Sequence, residues 1–217
     1  MTPERTTPFP RDIVPDLIAA PDDVARYLAT YFSSDPAVGY TGRFFEQMIR
    51  HSDPGAFTPW DVVAVSARSG EIPPRAAAAI RLPGPTREEA IKLLGRMPAP
   101  GVALDSADAS EIADGSPADQ LYLLLRSLPG MGATKTSKLL AAKRPRLIPI
   151  RDSVVEGLLQ AGESWWSPMR ELARNERLRS LIDEASSGVV PDEVSYMRRL
   201  DVVLWCYGSE HGDDKAT

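Results

Sequence analysis

Seven Lys or Arg residues and no Asp or Glu fall within positions 120–151: Arg126, Lys135, Lys138, Lys143, Arg144, Arg146 and Arg151. Inside that run lies Leu128-Pro129-Gly130-Met131-Gly132, and just past its far edge stands a carboxylate, Asp152. One proline and two glycines between two short helical patterns leave room only for a tight αα connection. Gly130 and Gly132 can take positive φ and carry no side chain to bar a ligand from the backbone. The amides of the turn at Met131 and of the next helix's first turn around Thr134 are then unpaired, with the positive end of a helix dipole behind them. Such main-chain donors suit a phosphate, and Arg126, Lys135 and Lys138 would add charge to the site. The competing reading is a plain helical hairpin whose lysines form a solvated face.

The 217-residue chain carries a formal charge of −5, and outside the basic run the other 18 basic and 30 acidic residues leave −12. Net acidity excludes a protein that coats nucleic acid over its whole surface. It does not exclude a local footprint, because exposed charges are screened beyond about 10 Å. A single cysteine, Cys206, and two isolated histidines, His51 and His211, exclude an internal disulfide and a four-cysteine cluster and argue against a histidine metal site. No run approaches the roughly 18 apolar residues of a membrane span, and the first residues lack a signal pattern, so a cytoplasmic protein with no membrane partner is the expectation.

Elements that would position these residues are helical throughout. Prolines 3, 8, 10 and 15 predict an extended arm over 1–20. A first helical lobe follows over 21–97, with a helix from Asp22 or Asp23 to Phe32, another over 42–50, and a strong start at Thr58-Pro59-Trp60-Asp61. Pro73-Pro74 and Thr86 open two more. Residues 98–117, rich in Pro, Gly, Ala, Ser and Asp, read as a linker. The second lobe, 118–208, holds the hairpin and a C-terminal helix whose buried stripe is Val194, Met197, Leu200, Val203/Leu204 and Tyr207; 209–217 is a solvated tail. Asp201 falls close to that stripe, where pairing with an arginine explains it better than catalysis. The expected fold class is all-α and two-lobed.

The stretch Leu128-Pro129-Gly130-Met131-Gly132-Ala133-Thr134, followed by Leu139-Leu140, resembles the helix-hairpin-helix motif of the base-excision DNA glycosylase superfamily, which includes endonuclease III and the adenine glycosylases. In that family an aspartate follows the leading Leu by twenty-four residues, often in a Pro-Ile-x-Asp context; here that position is Asp152, in Pro149-Ile150-Arg151-Asp152. The similarity covers about 121–155. Segments Tyr40-Thr41-Gly42-Arg43 and Leu200-Asp201-Val202-Val203-Leu204-Trp205 resemble, more loosely, a family of uncharacterised bacterial proteins.

The resemblance implies duplex DNA as partner, held by its backbone at the hairpin, with a monovalent cation such as Na⁺ or K⁺ between hairpin carbonyls and phosphate. It implies a catalytic role for Asp152 in assisting water attack or stabilising charge on the sugar. The family's Schiff-base lysine position is occupied by Thr134, and Lys135 points about 100° away around the helix, so a monofunctional glycosylase is the expected enzyme class. An iron–sulfur cluster is ruled out by the single cysteine. Sequence position alone makes Asp152 a helix N-cap, although Ser153-Val154-Val155-Glu156 is a capping box that would free it. Trp60, Trp165, Trp166 and Tyr40 are the aromatic candidates for a base pocket, each equally readable as core. The alternative function is a non-catalytic DNA-binding or protein-interaction module. Oligomeric state is not readable from the sequence.

Overall fold

The computed structural model describes residues 13–68, 70–160 and 165–211. Among these the chain is all-α: twelve helices and no strand. None of the helices is long and apolar enough to cross a membrane.

The first helix, α1 (Ile13–Ala19), occupies part of the expected arm. Pro15 is tolerated because it stands in the first turn, where an amide has no intrahelical acceptor to lose. Residues 1–12 of that arm lie outside the described residues. Next come α2 (Pro21–Tyr31), a 3-10 turn at Thr41–Phe44 running into α3 (Phe45–Ile49), and α4 (Pro59–Ala67). Thr58 and Asp61 form the expected reciprocal cap, with the Thr58 amide donating to Asp61 Oδ2 at 2.6 Å. Helices α5 (Pro74–Arg81) and α6 (Pro85–Arg96) complete the N-terminal half.

The stretch 98–117 is packed at its middle, around residues 104–107. Leu104 and Ala107 are buried, and the Leu104 amide donates to the Arg146 carbonyl at 3.0 Å. Arg170 donates to the carbonyls of Leu104 and Ala107, Arg174 to that of Asp105 at 2.7 Å, and Arg179 pairs with the Asp105 carboxylate. Composition suggested a linker because the groups that pin it come from helices far along the chain.

The C-terminal half comprises α7 (Pro117–Arg126), α8 (Ala133–Lys143), α9 (Ser153–Leu159), α10 (Trp166–Ala173), α11 (Glu176–Ser186) and α12 (Tyr196–His211). Its last helix starts at Tyr196, where the Ser195 hydroxyl accepts from the Arg198 amide at 3.2 Å and supplies the cap. Helices of the two halves share one contiguous apolar core: α2 packs on α11 and α12, α3 and α4 on α8, and α6 on α7. Every residue of α8 from Thr136 to Lys143 is buried, so it runs through the middle of the molecule with its N-terminus at the hairpin.

Candidate nucleic-acid interface

Helix α7 is capped by the Ser116 hydroxyl, which accepts from the Asp119 amide at 3.2 Å, and Leu121 and Leu125 anchor it in the core. The turn closes when the Met131 amide donates to the Leu128 carbonyl at 3.1 Å, with the Met131 side chain buried beneath it. The two glycines have different jobs. Gly130 sits at φ 77°, and a Cβ there would stand 2.7 Å from Pro73 Cγ, so it is required by the fold. Gly132 has ordinary extended dihedrals, φ −89° and ψ 171°, and a Cβ there would meet nothing within 4 Å. Among the described residues, the space in front of Gly132 is open.

Gly132 is also the N-cap of α8, and no side chain among the described residues caps it. The Thr136 amide takes the Gly132 carbonyl at 3.0 Å, which leaves the Ala133, Thr134 and Lys135 amides as the orphan donors of the helix end. Lys135 donates from Nζ to the Gly130 carbonyl at 3.2 Å, and Arg126 from Nη1 to the Met131 carbonyl at 2.8 Å. The carbonyls of Leu128, Gly130, Met131 and Gly132 thus each already receive a donor. Two cations of the chain's own, Arg126 and Lys135, stand on the turn.

The rest of the basic run is largely internal. Lys138, expected to reinforce the anion site, is 4% exposed and donates to the Arg68 carbonyl at 2.6 Å; burial lowers its pKa to about 8, with Asp152 among the charges that oppose the fall. Lys143 and Asp61 form an ion pair at 2.6 Å with both side chains fully buried, and the same ammonium reaches the Ser52 hydroxyl and the Asp53 carbonyl. Arg144 donates to the carbonyls of Pro98, Pro54, Leu94 and Lys143. Arg151 is held by Glu156. The accessible positive charge is concentrated at Arg126, Lys135 and the more distant Arg146.

Asp152 is the N-cap of α9: it has extended dihedrals, φ −100° and ψ 143°, and its Oδ1 accepts from the Val154 amide at 3.1 Å. The capping box that would have released it does not form, because Ser153 is already inside the helix and Glu156 is taken by Arg151. Asp152 is half-buried. Position six of the motif, Thr134, bears no amine, and its carbonyl accepts from the Ser137 hydroxyl.

Ser137 lies on a wall of a cavity of about 330 Å³, shared with Asp119 and Tyr122 of α7, Arg151, and Trp165 and Trp166 at the head of α10. Asp152 is not part of its lining. Two of the four aromatic candidates are therefore here. Trp60 is instead 44% exposed beside His51, and Tyr40 stacks on Tyr31 and meets Trp205 in a T-shaped contact.

Sequence reading missed a buried charge network. Arg198 pairs with Asp201 at 2.6 Å and Glu46 at 3.4 Å and donates to the Tyr31 hydroxyl, while Arg68 meets the same Asp201 oxygen at 3.0 Å. Burial raises the Glu46 pKa, against the pull of Arg198. A Cβ on Gly42 would stand 2.0 Å from the Tyr31 hydroxyl oxygen, so glycine is needed where the 40–43 segment crosses this network. Asp201 is paired with arginine, as its place near the apolar stripe suggested. Glu46 and Arg68 gave no such signal, since each lies on a short helix or its end with partners more than a hundred residues away.

Searches of curated proteins and of solved structures returned no match. A family model matches residues 24–208, from α2 to near the end of α12, and so takes in the hairpin, Asp152, the cavity and the buried network together. The chain belongs to that family, a family of unknown function designated DUF6308.

Proposed function

We propose that the chain binds the sugar-phosphate backbone of duplex DNA through the α7–α8 hairpin. The observation that carries this reading is the uncapped N-terminus of α8 at Gly132, open in front, with Arg126 and Lys135 beside it. An eleven-residue helix presents orphan amides and its positive dipole end there, which is main-chain chemistry for a phosphate oxygen. The similarity to the helix-hairpin-helix motif supports duplex DNA as the source of that phosphate.

The reading stops at binding. Asp152 serves as a cap and stands outside the lining of the cavity beside α8, and Thr134 has no amine, so the site offers less to base excision than to backbone contact. Fluorescence anisotropy with labelled duplexes of increasing length tests the proposal: affinity rises with length and falls with salt. Equal affinity for an acidic polypeptide of matched charge, with no length dependence on DNA, would replace DNA by an acidic protein partner. Incubation with lesion-containing duplexes followed by alkaline cleavage covers catalysis. Product that vanishes in Asp152→Asn, a change that keeps the cap, would add glycosylase activity.

A further inference from the structure

The cavity beside α8 has walls whose chemistry defines what they would accept. At about 330 Å³ it lies near the small end of ligand pockets and suits one or two fused rings. Tyr122, Trp165 and Trp166 supply aromatic surface for a planar ring. Charge on the lining is acidic on balance. Asp114 and Asp119 both reach it, whereas the one cation among its described lining residues, Arg151, is paired with Glu156. Asp119 is held in place through Oδ2 by the Gly115 amide at 2.9 Å, and among the described residues nothing bonds the Asp114 carboxylate. The indole N–H of Trp165, a side chain only 3% exposed, has no acceptor among the described residues. A buried donor left unpaired is costly.

We propose that this cavity binds an amino-substituted nitrogen heterocycle free of phosphate, its amine toward Asp114 and Asp119 and its faces against the aromatic walls. Phosphate or carboxylate on the ligand opposes the two aspartates. The inference does not rest on DNA binding at the hairpin, since neither Gly132 nor the orphan amides line the cavity.

Isothermal titration of the full chain with 2-aminobenzimidazole and with adenosine tests it, with benzimidazole, benzoate and AMP as comparators. Both amines bind with Kd at or below about 1 mM. Removing the amine, as in benzimidazole, weakens binding roughly tenfold, as does Asp114→Asn, because a hydrogen bond to a charged group is lost. AMP binds more weakly than adenosine, and benzoate gives no heat. Asp114 is an exposed loop residue, so its variant keeps the melting temperature of the parent. Trp166→Leu removes a stacking wall independently and weakens both amines while the fold is checked by circular dichroism. Absence of heat from both amines, indifference to Asp114→Asn, or AMP binding as well as adenosine would each overturn the proposal.

Discussion

Gly132→Asp places a carboxylate at the head of α8, where the fold accepts it and a phosphate does not. The backbone there is at φ −89° and ψ 171°, conformations any residue adopts, and among the described residues nothing lies within 4 Å of the new Cβ. As an N-cap, Asp exceeds Gly by a few tenths of a kcal/mol, and its charge gains roughly 0.3–1 kcal/mol from the helix dipole. The variant is therefore about 0.5–1 kcal/mol more stable, a melting-temperature rise of about 1–4 °C for a chain of this size. For DNA the sign reverses. A carboxylate about 4 Å from a phosphate is repelled by about 1–4 kcal/mol, depending on local screening, and it occupies the orphan amides besides. Affinity drops from roughly fivefold to nearly a thousandfold. Thermal melting and duplex anisotropy on the same preparation read both effects. Unchanged affinity in a variant that melts at or above the parent would refute the hairpin as the contact. Gly130→Ala is the counterpart: its Cβ meets Pro73 at positive φ, and it destabilises by about 1–3 kcal/mol, so any loss of binding there would report on the fold.

Further expectations concern the internal cations and the ionic character of the contact. Lys143→Met strands Asp61 in the core without its ammonium and costs about 3–5 kcal/mol by chemical denaturation. Lys138 has its pKa lowered from 10.5 to about 8 by burial. Between those values the unfolded chain holds the proton more tightly, so stability gains from this group as pH rises through 8 to 10.5, with a slope of at most about 1.4 kcal/mol per pH unit. Below the lower value the full cost of burying the ammonium is present. Lys138→Met removes that slope, and equilibrium unfolding of the two proteins across the window checks it. With Arg126 and Lys135 as the hairpin's accessible cations, the plot of log affinity against log salt has a slope near about −2. Because those two side chains already sit on the turn carbonyls, affinity at fixed ionic strength is the same in Li⁺, Na⁺ and K⁺; a marked K⁺ requirement would contradict this.

What could be read in advance followed locality. The Thr58–Asp61 cap, the α7–turn–α8 hairpin and the Gly130 conformation depend on residues within a few positions of one another, and each was legible. Burial of Lys138 and Lys143 was not, because their partners Arg68 and Asp61 lie 70 and 82 residues away. A lysine in a sequence looks solvated until its long-range acceptor is known. The stretch 98–117 hid for the same reason, its carbonyls being held by arginines of α10 and α11. Asp152 was ambiguous between two caps, and the competition was decided by Arg151 holding Glu156, a contact that spacing did not reveal. The cavity could be foreseen only as a pair of tryptophans, since its other walls come from α7, α8 and the 112–114 segment.

The amides of Gly132, Ala133, Thr134 and Lys135 are the most direct witnesses to the proposed contact. Titration of ¹⁵N-labelled protein with a short duplex, followed by two-dimensional NMR, should shift these four resonances first and most, together with the Arg126 side chain. They should stay in place in Gly132→Asp at the same duplex concentration. Shifts confined to another face of the molecule, or four unmoved amides under saturating DNA, would contradict backbone binding at the hairpin.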